Sequence, residues 1–222
     1  MRIFGNIEIV NRKARSVDDE FLVGYYNDDH KTWRNTYWLG VETQKCPADM
    51  WVFQEIMQET RPDLIIEAGT NMGGSALFFA SMFDLLGGGE IITIDVLAHS
   101  LRPEHPRITY LQGSSTDHGI IEEVTRRAKA AQRVMVVLDS DHSKEHVLDE
   151  LRQLGPLVSP GCYLIVEDTI VNGNPVLPAF GPGPAEAVEQ FLGSEGTPFI
   201  VDREREKFHL TFNRGGYLRR TE

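Results

Sequence analysis

A chain of 222 residues, 41% hydrophobic and 25% charged, is long enough for one α/β domain with a real core, and its composition is that of an ordinary soluble globule. Lys and Arg total 22 against 33 Asp and Glu, and the net charge of -11 repels phosphate backbones, which argues against a nucleic-acid partner while tolerating a metal ion or a sulfonium. Cys46 and Cys162 make no disulfide framework and read as reduced thiols of a cytoplasmic protein, no apolar run reaches membrane-spanning length, and residues 1–10 do not read as a signal peptide.

Residues 1–45 do not read as a doubly wound unit. Tyr25, Tyr26, Trp33, Tyr37 and Trp38 crowd a polar background there. Such aromatics either glue an arm to the core or to another subunit, or wall a substrate pocket. We therefore divide the chain into an aromatic arm, 1–45, and a main domain, 46–222. Pro47 opens a helix through Glu59 with Trp51, Phe53, Ile56 and Met57 as its apolar members, and Arg61-Pro62-Asp63 ends it. Leu64 to Ile66 reads as a buried parallel strand, Glu67 to Gly74 as a glycine-rich turn, and Ser75 to Leu86 as a buried helix. Strand, glycine turn and helix is how a doubly wound domain opens its nucleotide pocket, because glycines let backbone approach a ligand and a helix N-terminus offers free N–H groups.

A dinucleotide fingerprint would read G-x-G-x-x-G. Gly69, Gly73 and Gly74 instead give G-x-x-x-G-G, with Glu67 two residues before the first glycine. This pattern resembles motif I of class I S-adenosylmethionine (SAM) methyltransferases. SAM has no pyrophosphate to cradle, so acids and side-chain oxygens matter more. A dinucleotide site and a plain tight turn are the other readings of the same stretch.

The glycines at 87–89 stop the helix, and Ile91 to Asp95 is a second strand ending in an acid. Asp95 can accept the ribose hydroxyls of an adenosine cofactor, or can be a surface cap. Ile108 to Leu111 is a third strand. It runs into Gly113-Ser114-Ser115-Thr116-Asp117, a small polar turn that suits an adenine edge and can also cap the helix expected over Ile120 to Lys129. Val134 to Leu138 is a buried strand followed at once by Asp139, Asp141 and His142. Ser143 to Leu154 is a helix with Ser143 as N-cap, and Tyr163 to Val166 is a strand that ends in Glu167-Asp168.

A parallel crossover brings successive strand ends to one sheet edge, so Asp139, Glu167 and Asp168 should converge. Three carboxylates pressed together repel unless a cation or proton intervenes, and hard oxygen donors suit Mg²⁺, with Ca²⁺ or Mn²⁺ able to substitute. Solvated loop-end acids are the plainer reading, and Asp141 competes with Asp139 as first ligand. His142 has a pKa range suited to taking a proton from an alcohol. His146, one turn further, can orient the helix or line the pocket. Thr169 to Pro184 is long, irregular and rich in Pro and Gly, as a lid over an acceptor or a docked connector would be. Pro184 to Leu192 is a helix. Phe199 to Val201 and Phe208 to Phe212 then read as an antiparallel hairpin across the charged stretch 202–207, with a basic tail from Asn213. The fold class is α/β: a doubly wound, mostly parallel sheet with an antiparallel C-terminal hairpin.

Trp38-Leu39-Gly40-Val41, then Gln44-Lys45-Cys46-Pro47, Trp51-Val52 and Gln54-Glu55 are similar to the cephalosporin hydroxylase family, and the likeness runs on to Gly216-Tyr217-Leu218. Despite that label, the family's characterised members and near relatives are metal- and SAM-dependent O-methyltransferases, including macrolide-sugar and rhamnosyl enzymes. The resemblance implies a class I, Rossmann-like methyltransferase fold. It implies a metal on an Asp from one strand end and an acidic pair from the next, here Asp139, Glu167 and Asp168, with a base at the position of His142. Glu67, Gly69, Asn71 and Ser75 are then expected at the methionine end of SAM, Asp95 at the ribose, and Ser115 with Gly113 and Ser114 at the adenine. Lys45, Thr70, Gly73, Val96 and Asp139 complete the expected cofactor set. Chelation favours vicinal-diol-like acceptors, hence a sugar or glycoside such as a methylated mannose or rhamnose unit. An antibiotic or other secondary-metabolite scaffold, cephem or macrolide, is the alternative acceptor, and a non-catalytic SAM-binding protein the alternative role. The family label also suggests an iron oxygenase, but none of the seven histidines begins the H-x-D/E pattern of a facial triad. The relatives form homo-oligomers, and the same is expected here.

Overall fold

The apolar runs within 64–68, 90–95, 134–138 and 163–166 become parallel strands of one sheet. The structure, a computed structural model, describes residues 16–222; the reading of residues 1–10 as no signal peptide lies outside the described residues. In chain order the elements are α1 (Val17–Tyr26), β1 (Tyr37–Trp38), β2 (Val41–Glu42), α2 (Pro47–Thr60), β3 (Leu64–Ala68), α3 (Gly74–Leu86), β4 (Glu90–Asp95), β5 (Ile108–Gln112), α4 (His118–Ala128), β6 (Val134–Leu138), α5 (Lys144–Leu154), β7 (Tyr163–Val166), α6 (Pro184–Leu192), β8 (Phe199–Val201) and β9 (Tyr217–Arg220). No helix among the described residues is long and apolar enough to cross a membrane.

Seven strands pair in the order β5-β4-β3-β6-β7-β9-β8. The first five are parallel, while β9 runs antiparallel to both β7 and β8. The chain steps outward from β3 through β4 to β5, then crosses back to lay β6 and β7 on the other side of β3. The order therefore reverses between β3 and β6, and the crevice at their carboxyl ends is where such sheets bind ligands. Every residue of β3 and β6 is buried because helices cover both faces, which is why these strands read as unbroken apolar runs. Alternate residues serve opposite layers. Ile66, Val136 and Leu164 pack with Val147, Leu151 and Ala187 of α5 and α6; Ile65, Val137 and Ile165 pack with Phe53, Ile56, Phe79 and Phe83 of α2 and α3. Burying each such side chain stabilises the fold by roughly 1.5–3 kcal/mol.

The arm holds a helix that the sequence did not announce, and two local expectations are revised. The arm carries α1, whose start is set by Ser16: its hydroxyl accepts the Asp19 N–H at 3.1 Å, and Asp18, Asp19 and Glu20 favour the positive end of the helix. Ser143 stands at the N-cap position of α5 without capping through its hydroxyl; the Asp141 carboxylate accepts the Ser143 N–H instead, at 2.7 Å. The C-terminal antiparallel pair exists, but its second strand is Tyr217–Arg220 rather than Phe208 to Phe212. The cause is Asp49 of α2, buried, whose two oxygens accept the Phe212 N–H at 2.8 Å and the Tyr217 hydroxyl at 2.7 Å. A side chain thus takes the backbone donor that a neighbouring strand would have taken. Phe212 closes a third core with Leu22, Cys46, Ile170, Val171 and Val176, which joins the arm, the start of α2 and the root of the 169–184 loop.

Candidate active site

The carboxyl ends of β3, β4, β6 and β7 open into one cavity of about 710 Å³, within the range of small-molecule sites. The strand tips are in backbone contact. Gly69 has φ +95°, and a Cβ there would lie 1.9 Å from the Asp139 carbonyl oxygen, so only glycine lets the β3 turn pass the end of β6. Strand-like pairing also continues past the last strand residues: the Asp139 N–H reaches the Ala68 carbonyl at 2.8 Å and the Glu167 N–H the Leu138 carbonyl at 2.9 Å. These bonds hold Asp139 and Glu167 side by side. Glu167 and Asp168 would face opposite ways if the extended strand continued, but Asp168 adopts a left-handed φ of 52°. That conformation costs a non-glycine residue about 1 kcal/mol or more, and it brings the second acid to the cavity as well.

Fourteen of the sixteen residues expected at the site line this cavity: Lys45, Gly69, Thr70, Asn71, Ser75, Asp95, Val96, Gly113, Ser114, Ser115, Asp139, His142, Glu167 and Asp168. Glu67 and Gly73 do not. Glu67 is buried behind the turn, where it accepts the Thr93 hydroxyl at 2.6 Å, and Thr93 in turn meets the Thr70 hydroxyl at 2.6 Å. Burial pushes the Glu67 carboxyl up, and its Oε1 has no partner. Gly73 is the N-cap of α3, where a Cβ would press on Pro103 and Tyr110, so its smallness serves packing rather than ligand approach. Asp95 Oδ2 accepts the Asn71 N–H at 2.8 Å and lies 3.1 Å from Arg102 Nη2, while Oδ1 accepts the Leu97 N–H at 2.8 Å. A carboxylate has about four lone-pair sites, so room remains on Oδ1 for a hydroxyl donor.

Ligand atoms of Asp139, His142 and Asp168 all lie within 4.8 Å of one another, with His142 Nε2 3.1 Å from Asp168 Oδ2 and 4.0 Å from Asp139 Oδ1. Burial pulls the His142 pKa down, but the Asp168 hydrogen bond and the charges of Asp168 and Asp139 outweigh it and raise the imidazole to about 9. The two carboxylates are hard oxygen donors that fit a divalent cation such as Mg²⁺, and the imidazole, a softer nitrogen donor, stands beside them. The trio is the reverse of the two-histidine, one-carboxylate triad of iron oxygenases. Glu167 differs from the expected arrangement. One of its oxygens holds the Lys45 ammonium at 2.6 Å, and the same ammonium contacts Asp139 Oδ2. Asp141, the competing first ligand, is spent on the Ser143 N–H, which lowers its pKa, and it lies outside the trio.

His146 lines the cavity and sits 3.4 Å from the buried Glu150, whose Oε1 also accepts the Ser115 and Ser140 hydroxyls. This network ties the Ser115 turn to the tip of β6 through α5. Sequence reasoning did not single out Glu150, although its spacing of four residues from His146 on a helix was a usable signal. The two readings of the aromatics coexist in part. Tyr26 and Trp33 stack at 5.2 Å, meet Phe212 edge-on at 5.8 and 5.9 Å, and line the cavity at the same time. Leu177 and Phe180 of the 169–184 loop face the cavity while 40% and 44% exposed, whereas Ile170, Val171 and Val176 are buried at its root. The loop is therefore docked at its base and open at its tip.

Residues 30–221 match the Rhamnosyl O-methyltransferase/CmcI family. The chain is 39% identical over 217 residues to a rhamnosyl O-methyltransferase of Mycobacterium tuberculosis, covering 95% of this chain and 88% of the relative. It is 38% identical over 215 residues to the rhamnosyl O-methyltransferase of Mycobacterium leprae, covering 95% and 93%. Among solved structures, CmcI with Mg and SAM superposes with a TM-score of 0.65 at 21% identity, over 85% of this chain and 78% of that one. A putative caffeoyl-CoA O-methyltransferase from Staphylococcus aureus superposes with a TM-score of 0.54 at 13% identity, over 84% and 93%. These two likenesses concern the fold.

Proposed function

The chain belongs to the Rhamnosyl O-methyltransferase/CmcI family, and from that premise we propose that it moves the methyl group of SAM onto a hydroxyl of a sugar or glycoside, with a divalent ion at the strand tips. The observation that carries the reading is the meeting of Asp139, His142 and Asp168 at the mouth of the β3 glycine turn, inside a cavity large enough for two small ligands.

The turn Gly69-Thr70-Asn71 and Ser75 at the start of α3 hold the amino-acid end of SAM, where free N–H groups meet a carboxylate. Asp95 takes a ribose hydroxyl, and Ser114 and Ser115 flank the adenine. Glu67 acts from behind, keeping the turn in place through Thr93. Asp139, Glu167 and Asp168 would hold Mg²⁺. When bound, that ion would lower the pKa of the acceptor hydroxyl and, by repelling a proton on His142, bring the imidazole back toward a base's range. His142 would take the hydroxyl proton at Nε2 once Asp168, whose Oδ2 lies 3.1 Å from that same nitrogen, turned to the ion. The acceptor oxygen displaces the sulfonium's methyl in line. Most of the acceleration comes from holding oxygen, carbon and sulfur in that geometry away from water. Tyr26, Trp33 and Phe212 give the acceptor end an aromatic wall against which the C–H face of a sugar ring packs. In this reading the arm is a cap on the acceptor side of the main domain, and a rhamnose or methylated mannose unit is the first acceptor to try.

Methyl transfer from radiolabelled SAM to a rhamnosyl glycoside, before and after chelation, tests the reading. Transfer should vanish with chelator and return with Mg²⁺. Chelator-insensitive transfer would remove the ion from the mechanism, and a protein that binds no SAM in calorimetry would remove the function. The buried free thiols Cys46 and Cys162 support a reducing, cytoplasmic setting. The exposed Tyr37, Leu39 and Trp51 offer apolar area for a homo-oligomer, which light scattering at the mass of one chain would rule out.

A further inference from the structure

Lys45 ends among the strand-tip carboxylates. It is 3% exposed, and its ammonium sits between Asp139 Oδ2 and Glu167 Oε1. Its backbone is fixed on both sides: the Lys45 N–H donates to Thr36 Oγ1 at 3.1 Å, and Cys46 is buried in the third core at the N-cap of α2. The side chain therefore delivers a positive charge to a set point among the strand-tip acids. The arithmetic of the site is simple: Asp139, Glu167 and Asp168 carry three negative charges when ionised, and Lys45 supplies one positive charge from within the chain.

Resting on the divalent-ion reading above, we propose that the Lys45 ammonium and the divalent ion are alternative partners of the same carboxylates. Without the ion, Lys45 keeps Asp139 and Glu167 gathered and prevents the tips from repelling one another. Mg²⁺ needs carboxylate oxygens at about 2.0–2.1 Å, and a second full charge cannot share the Asp139 and Glu167 oxygens at that distance without strong repulsion. Arrival of the ion therefore moves Lys45 off these oxygens into the adjoining cavity, which it already lines. The side chain acts as a tethered placeholder. It lets the empty site stay folded in binding geometry, and it weakens ion binding because the ion must compete with it.

The test compares thermal unfolding of the full chain, stripped of metal, with and without saturating Mg²⁺, in wild type and Lys45→Met. The variant should be less stable without the ion, and Mg²⁺ should raise its Tm by more than it raises that of wild type. Calorimetry should show Mg²⁺ binding the variant about tenfold tighter or better, because the binding-competent state no longer has to be freed. An equal increment would mean that Lys45 and the ion do not share partners, and a smaller one that Lys45 helps to hold the ion; either overturns the proposal. If Lys45→Met does not fold, reductive methylation of wild type read by peptide mass spectrometry decides. Mg²⁺ should speed labelling of Lys45 several-fold and leave exposed lysines unchanged, and an unchanged or slower rate at Lys45 overturns the proposal. Wild type that binds no Mg²⁺ at all would bring down the divalent-ion reading along with it. Normal Mg²⁺ binding with an unaltered increment would bring down only the role of Lys45.

Discussion

Gly69→Ala tests whether backbone contact between the β3 turn and the β6 tip is what holds Asp139. Two costs arise. A left-handed φ of +95° disfavours alanine by about 1–2 kcal/mol. The new methyl would also sit 1.9 Å from the Asp139 carbonyl oxygen, where ordinary contact begins at 3.4 Å, so one of the two segments must retreat by about 1.5 Å. Overpacking of that size costs roughly a further 1–3 kcal/mol, and a shift of about 1 Å in a catalytic group can cost about a hundredfold in rate. Gly87→Ala is the control: φ is +90° and nothing lies within 4 Å of its added Cβ, so it carries the backbone cost alone, at the far end of α3. Urea unfolding should place Gly69→Ala below Gly87→Ala by at least about 1 kcal/mol. Labelled-SAM turnover should fall on the order of a hundredfold in Gly69→Ala and stay near wild type in Gly87→Ala. Equal stability loss in the two variants, with turnover retained in Gly69→Ala, would refute the claim that this contact positions Asp139.

His142→Ala should lower turnover by about 10²–10⁴ while S-adenosylhomocysteine binding by calorimetry stays at the wild-type level; undiminished turnover would remove the base. Asp49 predicts a pH signature: burial raises its carboxyl to about 6, against the hydrogen bonds from Thr211, Phe212 and Tyr217 that pull it down. The folded state therefore binds the proton more tightly than the unfolded state. This group's contribution is most favourable below the unfolded value near 4 and falls by about 3 kcal/mol as pH rises to 6. Asp49→Asn should flatten the fall in urea stability between pH 4 and 6.5, and an unchanged slope would deny the shift. Glu150→Gln keeps an acceptor for the Ser115 and Ser140 hydroxyls but removes the charge that raises the His146 pKa, so NMR should show His146 titrating at lower pH than in wild type.

Local pattern explains what could be read in advance. β6 and β7 appear with their expected bounds because five and four consecutive apolar residues followed by acids have few other solutions in a chain of this composition. The glycine turn was legible for the same reason, as φ above zero and close backbone approach both demand glycine. The hairpin assignment at Phe208 to Phe212 placed the second strand too early because its apolar residues look like a strand to any short-range test. What removes it from the sheet is Asp49, more than 150 residues earlier, whose carboxylate takes the Phe212 N–H. Trp33 and Phe212 share a cavity wall for a similar reason: neither carries a sign of the other, and only the packing of α1 against the end of the chain brings them together.

From the sequence alone came the parallel sheet, the ligand-binding glycine turn after β3, and the convergence of acids from β6 and β7, since connection handedness and strand parallelism follow from chain geometry. Tertiary structure alone decided which oxygen meets which cation. Lys45 reaches Glu167 across 122 positions of chain, Asp168 enters the cavity through one left-handed residue, and Asp141 is diverted to a helix start. Strand order is a property of the backbone and its periodic pattern. Pairing among charged side chains depends on ångström-scale reach between segments that only folding makes neighbours, and no local pattern encodes it.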